Sequence, residues 1–302
     1  MANIHLFGDA SQRVGVEARS KVDVNAITVG AGLATGVGGS AAVNTNVFKT
    51  QTNATIRDSN VLAVKRVDVI ADAQQAVTLD TTGFAAGGAA AASGAVLVNV
   101  FGANTGAVIE GGSTTASAVN VRANNDAEAT LRAEALAGAG GAAASLGAVV
   151  NIVDTNTQAR VGSIGRSTKV RSEDDITVDA ASASKASGLV VSAAGAGGVG
   201  VAGMAQLHQI TSNTSAAVVG ADMAGRNMTV NAKEALELDA LAGAGAVGGV
   251  GVGVGAGVNL ALLGSQVSAS VADSQLASSG KVGVNALSER DIAMTTATAG
   301  IG

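Results

Sequence analysis

The chain has 302 residues, with 42 Gly, 47% hydrophobic residues, 1% aromatic residues and no Pro, Cys, Trp or Tyr. The absence of Cys excludes disulfides and thiol catalysis, and a net charge of −5 without a long basic run argues against nucleic acid as a partner. The chain is too hydrophobic and too weakly charged for a disordered protein. A chain without Pro keeps every backbone N–H available, as continuous sheet requires.

A short pattern, apolar-x-Val-x-Ala, recurs along the chain and predicts a repeat of about 54 residues. It appears, for example, as VDVIA (67–71) and VNVRA (119–123). Its final alanines follow each other at nearly even steps, of which the third is the longest: Ala18, Ala71, Ala123, Ala180, Ala232 and Ala286. We therefore interpret residues 1–302 as a single repeat array with the units 27–83, 84–138, 139–195, 196–245 and 246–302, and 2–26 as the end of a preceding unit.

Two further markers follow in fixed order within each unit. One is the alanine of an Ala-x-apolar segment: Ala54, Ala107, Ala159, Ala216 and Ala269. The other is an amide after a Gly/Ala-rich run: Asn44, Asn99, Asn151, Gln206 and Asn259. Amide side chains stacked at strand spacing can form a hydrogen-bonded ladder. We predict that these five amides form one structural ladder.

Within each unit the polarity alternates with a period of two. In RVDVIAD, Val67, Val69 and Ala71 fall on one face, whereas Asp68 and Ile70 fall on the other. Such alternation with β-branched residues predicts strands with one buried face. A unit of this length cannot close a core alone, which favours stacking into a β-solenoid. The expected fold is an all-β parallel β-helix with two coils per unit, although three shorter coils also fit, and eleven coils at about 4.8 Å would make a rod of roughly 50 Å.

The stretch VGGVGVGVGAGVNLALLG (247–264) admits three interpretations. A flexible linker is disfavoured because Val replaces the Ser and charged residues of linkers. A membrane helix over 246–264, and nearly so over 84–101, passes a hydropathy test. A strand, or two strands with a turn, buried on both faces would also be continuously apolar. We favour the strands, with the valines on one side and the glycines on the other, packing within the fold or on a partner.

Candidate catalytic groups are few. His5 and His208 are far apart, and we expect His208, in MAQLHQI, at the surface or at a strand edge rather than in a catalytic site. Paired carboxylates occur at Asp174–Asp175 and at Glu237/Asp239, and we expect the first pair at a solvated corner. The nonapeptide calcium pattern is absent. We predict no enzyme activity, no cofactor and no metal.

The repeat order of a Gly/Ala-rich run, SAAVNTNV (40–47), NATIRDS (53–59) and VDVIAD (67–72) resembles that of large filamentous adhesins of bacteria. These include the haemagglutinin-type exoproteins of two-partner (type V) secretion and leukotoxin-like filamentous adhesins. The resemblance implies a right-handed parallel β-helix that is secreted and held at the cell surface. It implies a structural stalk or adhesive segment and carries over no catalytic residue.

The expected partners are neighbouring repeats of a longer protein, a host or other cell surface, a glycan, and a second copy stacked end to end. Two alternatives remain at this point. The chain could be a binding module whose repeated outer face contacts a glycan or a flat surface such as ice, or a membrane protein held together by its glycines.

Overall fold

The computed structural model describes residues 3–5, 12–63 and 65–302, and of residues 3–5 only the backbone. Over these residues the regular structure is strand without helix, which confirms the all-β class. The strands are β1 (Asn3–His5), β2 (Arg13–Ala34), β3 (Val37–Leu62), β4 (Arg66–Gly87), β5 (Ala90–Ala116), β6 (Ala118–Ala139), β7 (Ala142–Val161), β8 (Thr168–Ser172), β9 (Asp175–Ala196), β10 (Val199–Val219), β11 (Ala221–Gly225), β12 (Asn227–Gly248), β13 (Gly253–Ala272), β14 (Gln275–Ser278) and β15 (Val282–Ile301).

These strands form two parallel sheets, and the chain passes back and forth between them. Sheet A contains β1, β3, β5, β7, β8, β10, β11, β13 and β14, and sheet B contains β2, β4, β6, β9, β12 and β15. One long strand of sheet B and the following strands of sheet A make a coil, and successive coils stack in parallel register. The predicted parallel β-solenoid is confirmed.

Each repeat forms one coil, so the prediction of two coils per repeat is wrong. Arg13 pairs with Arg66, and Ala71 pairs with Ala123, so that register partners lie one full repeat apart. The long strands have 20 to 27 residues, as in β7 and β5. The inward–outward alternation of side chains continues without a break along each sheet face, so nothing ends the strand after half a repeat.

The coil is therefore broad and the stack short. The contour of β4, with 22 residues, is about 73 Å at about 3.3 Å per residue. Six strands in sheet B extend only about 24 Å along the stacking axis at about 4.8 Å each. The expected rod of roughly 50 Å, which assumed eleven coils, is replaced by a wide two-layered stack of half that height.

At one edge of the stack, here called the glycine edge, sheet B passes into sheet A through short turns. The turn residues are 35–36, 88–89, 140–141, 197–198 and 249–252. The turns stack on each other and continue the backbone ladder: the N–H of Gly88 donates to the carbonyl of Ala34 at 3.2 Å, and the N–H of Gly141 donates to that of Ala89 at 3.1 Å. Small residues at every level let the turns stack this closely.

At the opposite edge, here called the corner edge, the chain turns twice and a short strand such as β8 lies between the corners. Residues with positive φ mark the first corner: Asp58, Gly111, Gly112, Gly162, Gly165, Gly220 and Asp273. The loop at 162–167 is longer than the corner of the preceding coil, because Ile109 pairs with Val161 before the loop and Gly112 pairs with Thr168 after it. This loop explains most of the longer step between Ala123 and its register partner Ala180.

The interior consists of three apolar blocks along the strand direction. Val67, Val69 and Ala71 are completely buried in the block beside the corner edge, as the alternation predicted. The middle block contains Phe101 and Ile210. The third block, beside the glycine edge, is built mainly from Ala with a few Val and Leu side chains. Two bands of buried polar residues separate these blocks, and they run along the stacking axis.

Residues 247–264 comprise the end of β12, a turn and the first part of β13. Gly255 faces inward, where an added Cβ would lie 2.5 Å from the carbonyl oxygen of Ala299 and 2.9 Å from that of Ala244. Val254 faces outward and is 47% exposed. The glycine side thus packs within the fold, and the two-strand interpretation is confirmed, but burial on both faces is wrong.

The membrane-helix interpretation of 246–264 and 84–101 is also wrong, since both segments are strand, turn and strand. Among the described residues there is no helix long and apolar enough to span a membrane.

Candidate functional site

A column of amides runs through the interior of sheet A, in the band between the middle block and the glycine-edge block. The side-chain nitrogen of Asn46 donates to Oδ1 of Asn99 at 3.0 Å, and that of Asn99 donates to Oδ1 of Asn151 at 2.8 Å. His208 occupies the next level, with its Nδ1 3.4 Å from Nδ2 of Asn151. The column ends at Ala261. We call this set the amide band.

The predicted ladder residues are divided between two neighbouring columns. Asn99 and Asn151 stack directly, but Asn44 pairs in register with Leu97 and not with Asn99. Gln206 and Asn259 stack on each other in the column of Asn44. Asn44 and Asn259 instead donate across the interior to carbonyls of sheet B, to Ala26 at 3.5 Å and to Ala240 at 3.2 Å. Asn46 and His208 are the column members that the sequence analysis did not identify.

His208 is fully buried, so its predicted surface position is wrong. Its ring fits because it faces Gly188 on sheet B, where an added Cβ would lie 2.5 Å from Nε2 of the ring. Nε2 lies 2.6 Å from the side-chain nitrogen of Gln206. Burial lowers the pKa of His208 to about 4, so the ring is neutral at pH 7 and can accept a hydrogen bond. His5 lies in β1, and its side chain is outside the described part of the chain.

A second band, here called the hydroxyl band, separates the corner-edge block from the middle block. Its sheet A column consists of Thr52, Thr105, Thr157 and Thr214, all at most 3% exposed. The facing residues of sheet B include Asn125, Ser182, Ser184 and Glu234. Few direct hydrogen bonds join these residues. Many of the buried oxygens lack a protein partner, so the band provides a line of donors and acceptors that ordered water can bridge.

Glu234 is the one carboxylate of the hydroxyl band among the described residues, and it is completely buried. Its Oε2 accepts hydrogen bonds from Ser265 on sheet A and from Ser288 on the next coil, the latter at 3.2 Å. Oε1 has no protein partner. A single carboxylate with hydroxyls holds the two sheets together at this level. The described residues contain no group of three His, Cys, Asp or Glu side chains able to hold a metal ion.

The outer surface near the corner edge is polar and joins coil to coil through charged groups. Asp68 accepts from Arg13 at 3.1 Å and from Arg66 at 2.7 Å, although its own side chain is only 3% exposed. Glu110 is bridged by Arg57 at 2.5 Å and by Arg160 at 2.9 Å. Both carboxylates therefore connect coils, since their arginine partners lie on different levels of the stack.

Amides on the outside of sheet B continue this pattern. Asn231 donates to Asp179 at 2.9 Å, and Asn285 donates to Asn231 at 2.9 Å. The acidic turn at 173–175 is held in the same way, because Arg226 contacts Asp174 at 3.1 Å. Lys185 pairs with Glu237 at 3.0 Å on the open surface. The acidic turn, which was predicted at a solvated corner, and Glu237 both lie on the outside and connect neighbouring coils.

A second amide column lies on the outside of sheet A and was not predicted. Its members stack in register and are all exposed: Gln51, Asn104, Asn156, Asn213 and Gln266. The sequence signal was present, because each stands directly before the inward residue of the Thr52 column or its equivalent. The column presents amide groups at about 4.8 Å intervals along the stack.

The outer surface of sheet A near the glycine edge is apolar. Six columns of outward residues begin at Val37, Gly39, Ala41, Val43, Thr45 and Val47. All run across β3, β5, β7 and β10, and all but the first continue into β13. Their polar members are Thr45 and Gln209, and none is charged. Val43, Val47 and Val258 are 61%, 64% and 63% exposed. We call this surface the apolar face.

Sheet B also has apolar positions outside the glycine edge, which form a groove of about 440 Å³ lined by Phe84, Leu136, Val247 and Ile301. Charged residues interrupt it on the side away from the edge, where Arg132 pairs with Glu134 at 2.8 Å. The groove is therefore narrower than the apolar face.

Comparison with known proteins gives no relative for this fold. No protein-family model matches the chain, and no curated protein or solved structure matches it.

Proposed function

We propose that the chain is a non-catalytic structural segment, the stalk or adhesive shaft of a large secreted or cell-surface filamentous protein of the bacterial adhesin type. The observation that carries the proposal is that every repeat adds one coil in register on the last. The alanines of two sequence markers form continuous columns through all their levels, for example Ala54, Ala107, Ala159 and Ala216. A shaft that extends by identical increments needs such self-compatible coils.

The chemistry of the coils supports the same role. The buried amides and the bridging carboxylates Asp68 and Glu110 bond to neighbouring coils. These polar groups therefore join neighbouring coils, as a stalk under mechanical tension requires. The resemblance of SAAVNTNV, NATIRDS and VDVIAD to filamentous adhesin repeats supports a secreted location and the two-partner route of export.

Location is the first test of the proposal. Antibodies raised against the purified chain should label intact cells that produce the protein, without permeabilisation. Labelling that requires permeabilised cells would contradict a surface stalk. A cytoplasmic protein of known location serves as the control for cell integrity.

Mechanical unfolding tests the stalk directly. One coil, which runs from Arg13 to its register partner Arg66, should release about 18 nm of chain at about 3.4 Å per residue. Pulling the chain from its two ends should therefore give successive steps of about 18 nm as coils unzip one at a time. Release of the whole chain in one step would contradict coil-by-coil load bearing.

A second candidate function is a binding module for a glycan or another flat surface. The outer amide column favours it, because Asn104, Asn156 and Asn213 present exposed donors and acceptors in a straight row. Replacing these three residues by Ala should abolish binding to a glycan array without loss of the fold. The thermal transition of the triple variant checks the fold, and binding that survives it would exclude this surface.

A further inference from the structure

The apolar face of sheet A has the composition of a covered surface. In a sheet with one face on the core and one face in water, apolar and polar residues alternate. The segments Val96–Val100 and Val149–Val153 are instead apolar at their outward positions as well as at most inward ones. Such continuous apolar runs are typical of strands that are covered on both sides. The interior covers one side, and nothing in the described part of the chain covers the other.

The area of the face matches that of a stable protein interface. Outward residues recur at about 6.7 Å along a strand and at about 4.8 Å between strands, so six columns by five levels span about 640 Å². The largest apolar patch on an ordinary monomer is about 300–600 Å². Two such faces in contact would bury about 1,300 Å², above the roughly 1,000 Å² expected of a specific interface.

The shape and the border of the face also fit a second sheet. The side chains are Gly, Ala, Val, Leu and Ile apart from Thr45 and Gln209, so the surface is low and carries no charge to desolvate. Lys49 and Asp154 follow in the next column and form a charged border. An apolar centre with a polar border is the usual anatomy of an interface.

We propose that the apolar face is a self-association surface on which a second copy of this chain lies with its own apolar face, sheet against sheet. Leu146 and Ala148 of β7 lie at the centre of the face and therefore near the two-fold axis of the pair. The occupant is a second copy because one surface then satisfies both partners, and the area is sufficient without further contacts. The pairing joins stacks side by side and does not depend on where the protein is located.

Sedimentation velocity on the full chain in detergent-free buffer tests the pairing, with Ala148→Lys as the variant and Ala183→Lys as its matched control. Both changes place Lys at an outward position, on two successive coils, but Ala183 lies on the outside of sheet B beside Asp126. We expect the parent and Ala183→Lys at twice the chain mass of 28.8 kDa. Ala148→Lys should raise the dissociation constant at least about tenfold, because it buries two like charges near the two-fold axis.

A parent chain that is monomeric at about 100 µM, well above the micromolar Kd of a weak specific pair, would overturn the proposal. So would a dimer that Ala148→Lys leaves unchanged. A third outcome is an open series of larger species that Ala148→Lys does not affect. It would show that the chain associates through its strand edges, and it would also overturn the proposal. Circular dichroism of both variants confirms the fold.

Cross-linking tests the contact when association is weak, and it exploits the absence of cysteine from the chain. Ala148→Cys should form a disulfide-linked dimer under mild oxidation, and Ala183→Cys should remain monomeric. Equal cross-linking of both would overturn the proposal. Flotation with neutral phosphatidylcholine vesicles distinguishes a lipid as the occupant. If the parent chain is monomeric and floats with the vesicles, and the Ala148→Lys variant does not float, the apolar face binds a lipid surface and not a second copy.

Discussion

The two halves of each coil solve the packing of stacked strands differently. In the corner half, which adjoins the corner edge, branched side chains such as Val69 and Val121 fill the interior, and charged groups cover the outside. In the glycine half, which adjoins the glycine edge, the sheets approach until backbone meets backbone. An added Cβ at Gly30 would lie 2.5 Å from the carbonyl oxygen of Ala41.

This comparison shows how an aromatic-poor chain closes a core. The corner half uses side-chain volume, whereas the glycine half removes the volume that would need filling. The outside of the glycine half on sheet A is then apolar because its outward residues are Gly, Ala, Val, Leu and Ile apart from Thr45 and Gln209, and none is charged. The glycine half therefore has both the closest interior packing and the outer surface that we propose binds a second copy.

The largest effect is expected from a charge in the core of the corner half. Val69→Asp buries a carboxylate among Val67, Val121 and Val178 and should cost about 4 kcal/mol of unfolding free energy. Urea unfolding measures it. Ile70→Asp, one residue away on the outward face, should change stability by less than about 1 kcal/mol. Similar losses for both variants would reject the assignment of inward and outward residues.

A methyl group added to an inward glycine of the glycine half should lower the unfolding free energy by nearly as much. Gly83 faces inward against the carbonyl of Gly94, so Gly83→Ala forces the sheets apart and should cost about 3 kcal/mol. Gly94 faces outward with no heavy atom within 4 Å of an added Cβ. Gly94→Ala should therefore be neutral or slightly stabilising in the same urea titration. If Gly83→Ala is as stable as the parent chain, the close approach of the two sheets is not present.

Acid should lower the unfolding free energy through His208, which lies at the boundary between the two halves. Its pKa is lowered to about 4 by burial, whereas the unfolded chain has a histidine pKa of about 6.5. The unfolded state binds the additional proton in this window, so stability is complete above about pH 6.5 and falls towards about pH 4. The loss is about 2 kcal/mol at pH 5.

His208→Asn is the control for the acid effect, because it keeps a polar member in the column and removes the titration. The difference in unfolding free energy between parent and variant should change with pH between about 6.5 and about 4. Asp179, whose pKa is raised by burial, titrates in both proteins and cancels. A constant difference across this range would contradict the buried neutral ring.

The smallest effect on stability is expected from a change on the outer surface of the corner half. Asp68→Ser removes the acceptor that joins Arg13 and Arg66, and since both arginines are substantially exposed, the loss should be about 1 kcal/mol. Without these two arginines, Ser at this outward position would be expected to change stability very little. Asn25→Ser, at an exposed outward position, is the matched change and should lie within about 0.5 kcal/mol of the parent in thermal unfolding.

Much of the fold was predictable because register leaves a trace in the sequence. Ala18, Ala71 and Ala123 are register partners on successive strands, so the steps between them equal the pairing offsets. The amide marker was different, because Asn44 pairs with Leu97 and Asn99 lies beyond that partner on the same strand. The step from Asn44 to Asn99 is longer than the step from Ala18 to Ala71. That disagreement was the signal that Asn46, and not Asn44, stacks on Asn99.

The number of coils per repeat and the burial of His208 could not be predicted from the pattern. The alternation of polar and apolar residues shows which face a residue occupies, but it does not show where a strand ends. The long strands of this chain continue through 20 or more residues. The space for the His208 ring comes from Gly188, which is adjacent only after the two sheets fold together. The outward valines of 247–264 were wrongly predicted to be buried because the stretch has the composition of a strand that is covered on both sides.

Engineered disulfides can distinguish one coil per repeat from two. Thr78 and Thr130 are exposed register partners on β4 and β6. The chain with Thr78→Cys and Thr130→Cys should form an intramolecular disulfide readily, because neighbouring strands are within the Cα separation of about 7 Å that a disulfide tolerates. Two coils per repeat would instead place residue 105 beside residue 78. We expect the chain with Thr78→Cys and Thr105→Cys to stay reduced. A disulfide in that variant, with none between positions 78 and 130, would show two coils per repeat instead of one.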